Sequence, residues 1–285
     1  MNLKPVDIDI AAYPGELQPL LSGASIYDSS CSAVARVIFI DKDNGYFLKS
    51  APKGSLEREA IMMRYFSQCR AVAPIAAHGK RLNGVSASRQ STRRLSAEVL
   101  AYISDEQDWL LTEKIHGDDC TAAKYLEEPE KLCDIAAECL VMLHETDFTG
   151  CPFTNNTEQH LANAARNKEA GAYNKSHFPD SWGYTSEAEA WGVIEKYGGL
   201  LKTDTLLHGD YCLPNIILNN WRFAGFIDLD SSGVGDRHFD LFWGMWSLNW
   251  NLKTDKYRNR FLDAYGRSKV DEDMLRVVAA IEVFG

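Results

Sequence analysis

The 285-residue sequence contains no run of about 18 apolar residues, and its first twenty residues carry Asp7, Asp9 and Glu16. The first absence predicts that no membrane-spanning helix forms, and the acidic start does not read as a secretory signal peptide. There is also no Cys-x-x-Cys pair. The seven cysteines are odd in number and irregularly spaced, which argues against a disulfide framework and a cysteine-rich zinc site. We therefore expect a cytoplasmic protein with no membrane partner.

Positive charge is also scarce, with 30 Lys and Arg residues against 40 Asp and Glu residues and a net charge of -10. A nucleic-acid partner is not expected, because binding phosphates requires a basic face. The charge is unevenly distributed. Residues 64–97 hold seven bases and no acid, whereas residues 98–150 hold 14 acids and three bases. The acidic balance is compatible with a cationic small-molecule partner, but charge alone does not identify one.

Apolar periodicity predicts a β-rich first third followed by a mostly helical remainder, and hence an α+β protein. The predicted strands give way to predicted helices near His116-Gly117-Asp118, where we expect the domain boundary. The predicted elements, in order, are strands at 35–40 and 46–51, a helix from a Ser55 cap to about Gln68, strands at 98–103 and 108–115, a helix from Pro129, an irregular stretch at 154–184, strands at 215–218 and 221–228, and helices near 237–250, 255–265 and 271–284.

Three polar residues lie at fixed intervals between Leu206 and Asp230. Asp210 ends the sequence His-Gly-Asp, Asn215 follows five residues later, and Asp228 ends an apolar strand. Mg²⁺ bound to ATP takes one or two hard oxygen ligands from a protein. An acceptor hydroxyl needs a carboxylate within hydrogen-bond reach to take its proton. A loop carboxylate, an amide oxygen and a second carboxylate supply this set, as in the protein-kinase catalytic loop.

The segments HGDYCLPN and GFIDLD resemble the aminoglycoside phosphotransferases, especially the 3′-phosphotransferase (kanamycin kinase) branch. The resemblance extends over nearly the whole chain. It implies a two-lobed protein-kinase-like fold, with a small β-rich nucleotide lobe at 1–115 and a larger, mostly helical catalytic lobe at 116–285. It also implies transfer of the γ-phosphoryl group of ATP, with GTP left open, to an aminoglycoside hydroxyl. The 3′-hydroxyl is the first choice, and antibiotic resistance would follow.

Residue by residue, the resemblance makes Asp210 the catalytic base and makes Asn215 and Asp228 the Mg²⁺ ligands. Lys49 would pair with the ATP phosphates, and Glu59 would pair with Lys49, with Glu57 as the local competitor. His208 and Asp240 would position the catalytic loop.

The resemblance also implies the contacts of the nucleotide base and of its phosphates. Phe47 would pack against adenine, and the backbone from Glu113 to Ile115 would contact its edge. Ser32 would touch the phosphates from a segment, 29–32, that replaces the glycine-rich loop but has no glycine.

The sequence departs from the family pattern in the magnesium motif and at the chain end. Asp230-Ser231 stand where relatives carry Gly-Arg, and Ile281 stands where relatives carry a second acid beside Glu282. A small cationic amino sugar is the expected substrate. Its amines would contact residues in two regions of the chain. These are Asp180, Glu187 and Glu189 in the stretch 178–189, and Glu282 and Gly285 at the chain end.

Alternatives to this reading remain open at the sequence level. One alternative is a kinase of another small alcohol such as choline, homoserine or a fructosamine, and the other is a nucleotide-binding regulator without transfer. The basic segment 69–95 is interpreted as an insertion, either a solvated loop or a docking site for an anionic partner, with nucleic-acid binding a distant third. A monomer is expected, with a dimer left open.

Overall fold

A computed structural model of the chain describes residues 3–30, 34–69, 94–174 and 183–285. The predicted phosphate contact Ser32, the predicted acceptor contact Asp180 and nearly all of the basic segment 69–95 lie outside the described residues.

The first part of the chain forms a six-stranded antiparallel sheet, and both predicted hairpins within it are confirmed. A short helix, α1 (Gln18–Leu21), and the residues around it cover one face, where Leu17, Ile38 and Trp109 are buried together. The strands are β1 (Lys4–Pro5), β2 (Ser25–Asp28), β3 (Arg36–Asp41), β4 (Tyr46–Pro52), β5 (Val99–Ser104) and β6 (Gln107–Glu113), arranged in the order β1-β2-β3-β4-β6-β5.

The predicted helix after β4 is confirmed as α2 (Glu57–Gln68), but the predicted Ser55 cap is wrong. The N-cap position is Leu56, which has no side-chain oxygen to accept a backbone hydrogen bond. Asp108 at the start of β6 supplies it instead, because its Oδ2 accepts from Leu56 N at 2.8 Å. The capping residue therefore comes from a distant strand, and it fastens α2 to the sheet.

The remainder of the chain is mostly helical, as predicted, and carries two small sheets. Its elements are β7 (Asp118–Asp119), α3 (Ala123–Leu126), α4 (Pro129–His144), α5 (Asn156–Glu169), α6 (Glu187–Tyr197), β8 (Thr205–Leu207), β9 (Ile216–Asn219), β10 (Arg222–Phe226), β11 (Gly233–Gly235), α7 (His238–Leu252), α8 (Arg258–Tyr265) and α9 (Glu272–Glu282).

One prediction for this region is wrong: the stretch 154–184 is not irregular throughout, because it contains the 14-residue helix α5. The buried positions of α5 are Asn156, Thr157 and Ala164, so the helix has no apolar stripe of large side chains. The two buried polar side chains instead hydrogen-bond to neighbouring loops, since Asn156 donates to the Ser231 carbonyl and Thr157 donates to that of Lys202.

The main buried core passes from one part of the chain to the other without a break. Met62, Met63 and Phe66 on α2 belong to the same buried cluster as Leu140 on α4 and Phe239 on α7. In the described ranges, no helix is both long and apolar enough to cross a membrane.

The capping role of Asp108 leads to a stability prediction. Asp108 is fully buried and also accepts from the hydroxyls of Tyr102 and Ser104. Asp108→Ala leaves these donors without an acceptor, and we expect a loss of about 2–4 kcal/mol in the free energy of unfolding. Urea denaturation followed by circular dichroism measures it. Glu106→Ala, at an exposed position in the same turn, is the control, and an equal loss in both variants would contradict the capping role.

Candidate active site

The catalytic loop follows β8 and is held by one fully buried carboxylate, Asp240. The backbone N–H groups of His208 and Gly209 each donate to Asp240 at 2.8 Å. Burial lowers the pKa of His144, so its ring is neutral. Its Nε2 donates to Asp240 at 3.0 Å, while its Nδ1 accepts from the Tyr265 hydroxyl at 2.8 Å. The predicted hydrogen bonds between Asp240 and the backbone of this loop are confirmed.

Asp210 follows in this loop, and Asn215 fixes its carboxylate. The Asn215 Nδ2 group donates to the Asp210 carbonyl and to Asp210 Oδ2, both at 2.9 Å. Gly209 before it has a φ of +86°, and a Cβ there would lie 2.0 Å from the Ser231 carbonyl oxygen. Only glycine permits both this backbone and this close approach. The loop leaves Asp210 Oδ1 as the oxygen that can face an acceptor hydroxyl.

Lys49, Glu59 and Asp228 meet, although they come from β4, α2 and the segment after β10. Lys49 Nζ lies 2.8 Å from Glu59 Oε2 and 2.7 Å from Asp228 Oδ1. Burial acts to lower the pKa of Lys49, but the two carboxylates outweigh it and leave that pKa raised, so the side chain stays an ammonium. Burial raises the pKa of Glu59 to about 7, with Lys49 opposing that rise. Glu57 is exposed on the outer side of α2 and takes no part.

The oxygen atoms of Asn215 and Asp228 fit a magnesium ion. Ile227 N donates to the Asn215 carbonyl at 3.1 Å, which brings the start of the Asp228 segment beside Asn215. The Asn215 amide nitrogen is used by Asp210, so its oxygen is the atom left for a cation, and the Asp228 side chain is 46% exposed. Asp228 also has a φ of +61°, an uncommon backbone conformation for a residue other than glycine and one that clusters at functional sites.

A cluster of protein ligands is not required for such an ion. Within the described ranges, no group of three or more His, Cys, Asp or Glu side chains could hold a metal. Mg²⁺ at a phosphate-transfer site takes only one or two carboxylates, since phosphates and waters complete its octahedron.

The predicted adenine contacts lie along adjacent strands. Phe47 is half-buried on β4, two residues before Lys49, and its ring centroid is 5.2 Å from that of Phe39. The Glu113 and Lys114 amides donate to the carbonyls of Glu98 and Gly45. Among the residues with described positions, the next amide, that of Ile115, has no hydrogen-bond partner.

A cavity of about 710 Å³ opens beside Asp210 and contains two of the predicted acceptor contacts, Glu282 and Gly285. Burial and the charge of Asp210 raise the pKa of Glu282 to about 7, although a hydrogen bond from Trp243 opposes the shift. The acidic stretch 98–150 contributes nothing to the wall. The lining residues are His160, Asn163, Ala164, Arg166, Asn167, Gly209, Asp210, Asp228, Asp230, Ser231, Trp243, Ile281, Glu282 and Gly285.

The two other described acceptor candidates, Glu187 and Glu189, lie at the N-terminus of α6 and do not line this cavity. Glu189 accepts from the Thr185 backbone N–H at 2.9 Å and from the Thr185 hydroxyl at 2.6 Å. These bonds lower the pKa of Glu189.

Sequence reasoning missed the α5 residues of the cavity wall, which include His160, Asn163 and Asn167. Burial lowers the pKa of His160 to about 4, so it presents a neutral imidazole, which stacks on Phe239 at 4.2 Å. These residues were missed because α5 itself was not predicted, since the face that it buries is polar. Trp243 was missed as well, since an aromatic residue on an apolar helix reads as core.

The pairing of Glu59 rather than Glu57 with Lys49 is directly testable. Glu59→Gln removes the charge that orients Lys49, and we expect the dissociation constant for ATP to rise about tenfold or more. Glu57→Gln, two residues away and exposed, should leave it within about twofold. Isothermal titration calorimetry measures both constants. Equal effects of the two substitutions would contradict the assignment.

Comparison with known proteins agrees with this geometry. Residues 32–279 match the model of the "Phosphotransferase enzyme family". A relative from Lactococcus lactis subsp. lactis, named a probable aminoglycoside 3′-phosphotransferase, is 46% identical over 285 residues, 100% of this chain and 99% of its own length. An aminoglycoside 3′-phosphotransferase from Niallia circulans is 30% identical over 177 residues, 62% of this chain and 67% of its own length.

Solved structures share the fold. The aminoglycoside-3′-phosphotransferase of type VIII superposes with a TM-score of 0.65 at 21% identity, covering 96% of each chain. An aminoglycoside phosphotransferase from Streptomyces rimosus, in complex with ADP and streptomycin, gives a TM-score of 0.65 at 20% identity, covering 90% of this chain and 92% of its own. The α+β, protein-kinase-like fold and the resemblance drawn from the His-Gly-Asp loop are both confirmed. The chain is an enzyme that belongs to the phosphotransferase enzyme family.

Proposed function

We propose that this enzyme transfers the γ-phosphoryl group of ATP to a hydroxyl of an aminoglycoside, the 3′-hydroxyl first, and so confers resistance to the antibiotic. One observation carries the proposal: Asp210 shares a single cavity with Asp228 on the nucleotide side and with the buried acid Glu282 on the other. The full-length relative named a probable aminoglycoside 3′-phosphotransferase supports the choice of acceptor.

In this proposal the nucleotide lies between the six-stranded sheet and the catalytic loop. Phe47 packs against adenine, the Ile115 amide donates to its edge, and Lys49 binds the phosphates while Glu59 orients it. Asn215 and Asp228 would hold Mg²⁺, which would neutralise charge on the phosphates. Lys49 already contacts both Glu59 and Asp228, and Asn215 already contacts Asp210.

Asp210 acts on the acceptor. Asn215 holds its Oδ2, so Oδ1 accepts the hydrogen bond of the attacking hydroxyl and takes its proton as the oxygen–phosphorus bond forms. The phosphorus–oxygen bond to ADP breaks, and the phosphoryl group passes to the acceptor oxygen. The loop backbone, anchored by Asp240, keeps the Asp210 carboxylate in position to take the proton of the attacking hydroxyl.

The acceptor side of the cavity suits a polycation. Asp210, Asp230 and Glu282 contribute carboxylates, and Asn163 and Asn167 on α5 contribute amides that can bind ammonium or hydroxyl groups. Arg166 is the basic group on this wall. We place the enzyme in the cytoplasm, where ATP is available and where cysteines stay reduced, since the six described cysteines are all unpaired.

Loss of the base is the first test of this function. We expect Asp210→Ala to lower kcat for kanamycin phosphorylation by about 10²–10⁴-fold, the range for removal of a general base, with the dissociation constant for ATP nearly unchanged. Asp105→Asn, in the exposed turn between β5 and β6, is the matched control. Unchanged turnover in Asp210→Ala would overturn the proposal. If the wild-type enzyme phosphorylated choline, homoserine or a fructosamine but no aminoglycoside, the proposed acceptor would be wrong.

Glu282 should make acceptor binding depend on pH. Its pKa is raised to about 7, so it is neutral below that pH and gains the negative charge that attracts ammonium groups above it. The KM for kanamycin should therefore fall between about pH 6 and pH 8, and Glu282→Gln should flatten this change. Titration of the acceptor's own amines is common to both enzymes, so the ratio of their KM values isolates Glu282. A ratio that stays constant across this range would exclude the contact.

A further inference from the structure

Arg58 lies on α2 immediately before Glu59, but its side chain points to a different partner. Successive residues on a helix are about 100° apart around its axis, so Glu59 faces Lys49 while Arg58 faces the loop that follows Asp228. Its Nε donates to the Asp230 carbonyl at 2.5 Å, and its Nη2 donates to the Ser232 carbonyl at 2.8 Å. One guanidinium therefore binds two carbonyls of this loop.

The carbonyl between these two is held by α5. Asn156 Nδ2 donates to the Ser231 carbonyl at 2.8 Å, and Asn156 Oδ1 accepts from Arg58 Nη2 at 2.8 Å. The Arg58 guanidinium carbon also lies 3.9 Å from the centroid of the Phe153 ring. Three successive carbonyls thus have side-chain donors, and the middle one packs against Gly209 of the catalytic loop.

These contacts close a ring of interactions around the candidate metal site. From Asp228 the chain runs two residues to Asp230, whose carbonyl is bound by Arg58. Arg58 is covalently next to Glu59, which pairs with Lys49, and Lys49 pairs with Asp228. A shift of α2 along or around its axis must therefore stretch either the salt bridges or the arginine–carbonyl bonds.

We propose that Arg58 is a positioning residue, which sets the distance between the Glu59 helix and the loop carrying Asp228 and so keeps the Asp228 carboxylate oriented for Mg²⁺. The inference rests on the proposed function, because it takes Asp228 as a metal ligand. Residues 230 and 231 are Asp and Ser where relatives carry Gly-Arg. The guanidinium that contacts this loop therefore comes from Arg58 on α2.

Arginine suits this role better than lysine. The planar guanidinium offers five N–H donors in a fixed geometry, and here it meets three oxygens at 2.8 Å or less while one face covers an aromatic ring. A lysine ammonium would keep the charge but could not bind Asp230, Ser232 and Asn156 with the same geometry.

The test compares nucleotide binding with and without the metal. Arg58→Lys should raise the dissociation constant for ADP measured by calorimetry in the presence of Mg²⁺ by about tenfold, because two loop carbonyls lose their donors. Without Mg²⁺ the constant should change by less than about twofold, since adenine and Lys49 contacts remain. Arg64→Lys, exposed on the same helix, should change neither constant.

A second variant tests whether Arg58 acts through the loop. Asn156→Ala removes the donor to Ser231, so combining it with Arg58→Lys should cost less Mg²⁺-dependent affinity than the sum of the single changes.

Three outcomes would overturn the inference: full additivity, an equal loss of affinity with and without Mg²⁺, or a lowered melting temperature with unchanged Mg²⁺ enhancement. If wild-type enzyme itself bound ADP no better with Mg²⁺, the proposed metal site would fail and the inference with it. If Mg²⁺ strengthened ADP binding equally in the wild-type enzyme and in Arg58→Lys, the inference would be overturned while the proposed metal site would stand.

Discussion

The ammonium group of Lys49 holds two carboxylates from distant parts of the chain, Glu59 on α2 and Asp228 after β10. Two neighbouring acids repel each other when both are ionised, so their approach depends on the positive charge between them. Because Glu59 is buried, loss of that charge would leave a carboxylate with neither water nor a partner. The Lys49 charge thus joins the six-stranded sheet, α2 and the loop after β10, together with the Asp108 cap and the Arg58 contacts.

A different kind of interaction positions Asp210, the proposed catalytic base. Asp240 receives two backbone amides and a neutral imidazole, so buried hydrogen bonds anchor the loop bearing Asp210. Buried hydrogen bonds to an acceptor with several donors are geometrically specific, and they do not depend on the nucleotide. Ion pairs therefore organise the cluster around Lys49, and a buried hydrogen-bond network organises the loop bearing Asp210. The two meet where Gly209 packs against the Ser231 carbonyl.

Most of the fold and the centre of the site could be predicted from sequence, because both have local signals. Hairpins around polar turns and helices with apolar stripes gave the elements, and the His-Gly-Asp loop located Asp210, Asn215 and Asp228. The failures are equally physical. The α5 helix buries Asn156 and Thr157, so it shows no apolar period, and the cap of α2 comes from Asp108, far along the chain. Contacts such as those of Arg58 depend on tertiary placement, which no spacing in the sequence encodes.

The core that α2 shares with the helical part of the chain bears on how the protein folds. The proposed boundary near His116-Gly117-Asp118 separates two groups of strands, but Met62, Met63 and Phe66 are buried with Leu140 and Phe239 beyond it. A fragment ending at residue 115 would expose these side chains to water and lose the apolar burial that stabilises α2. The packing of α2 is therefore tied to residues beyond this boundary, and loss of those contacts should destabilise the helix that carries Glu59.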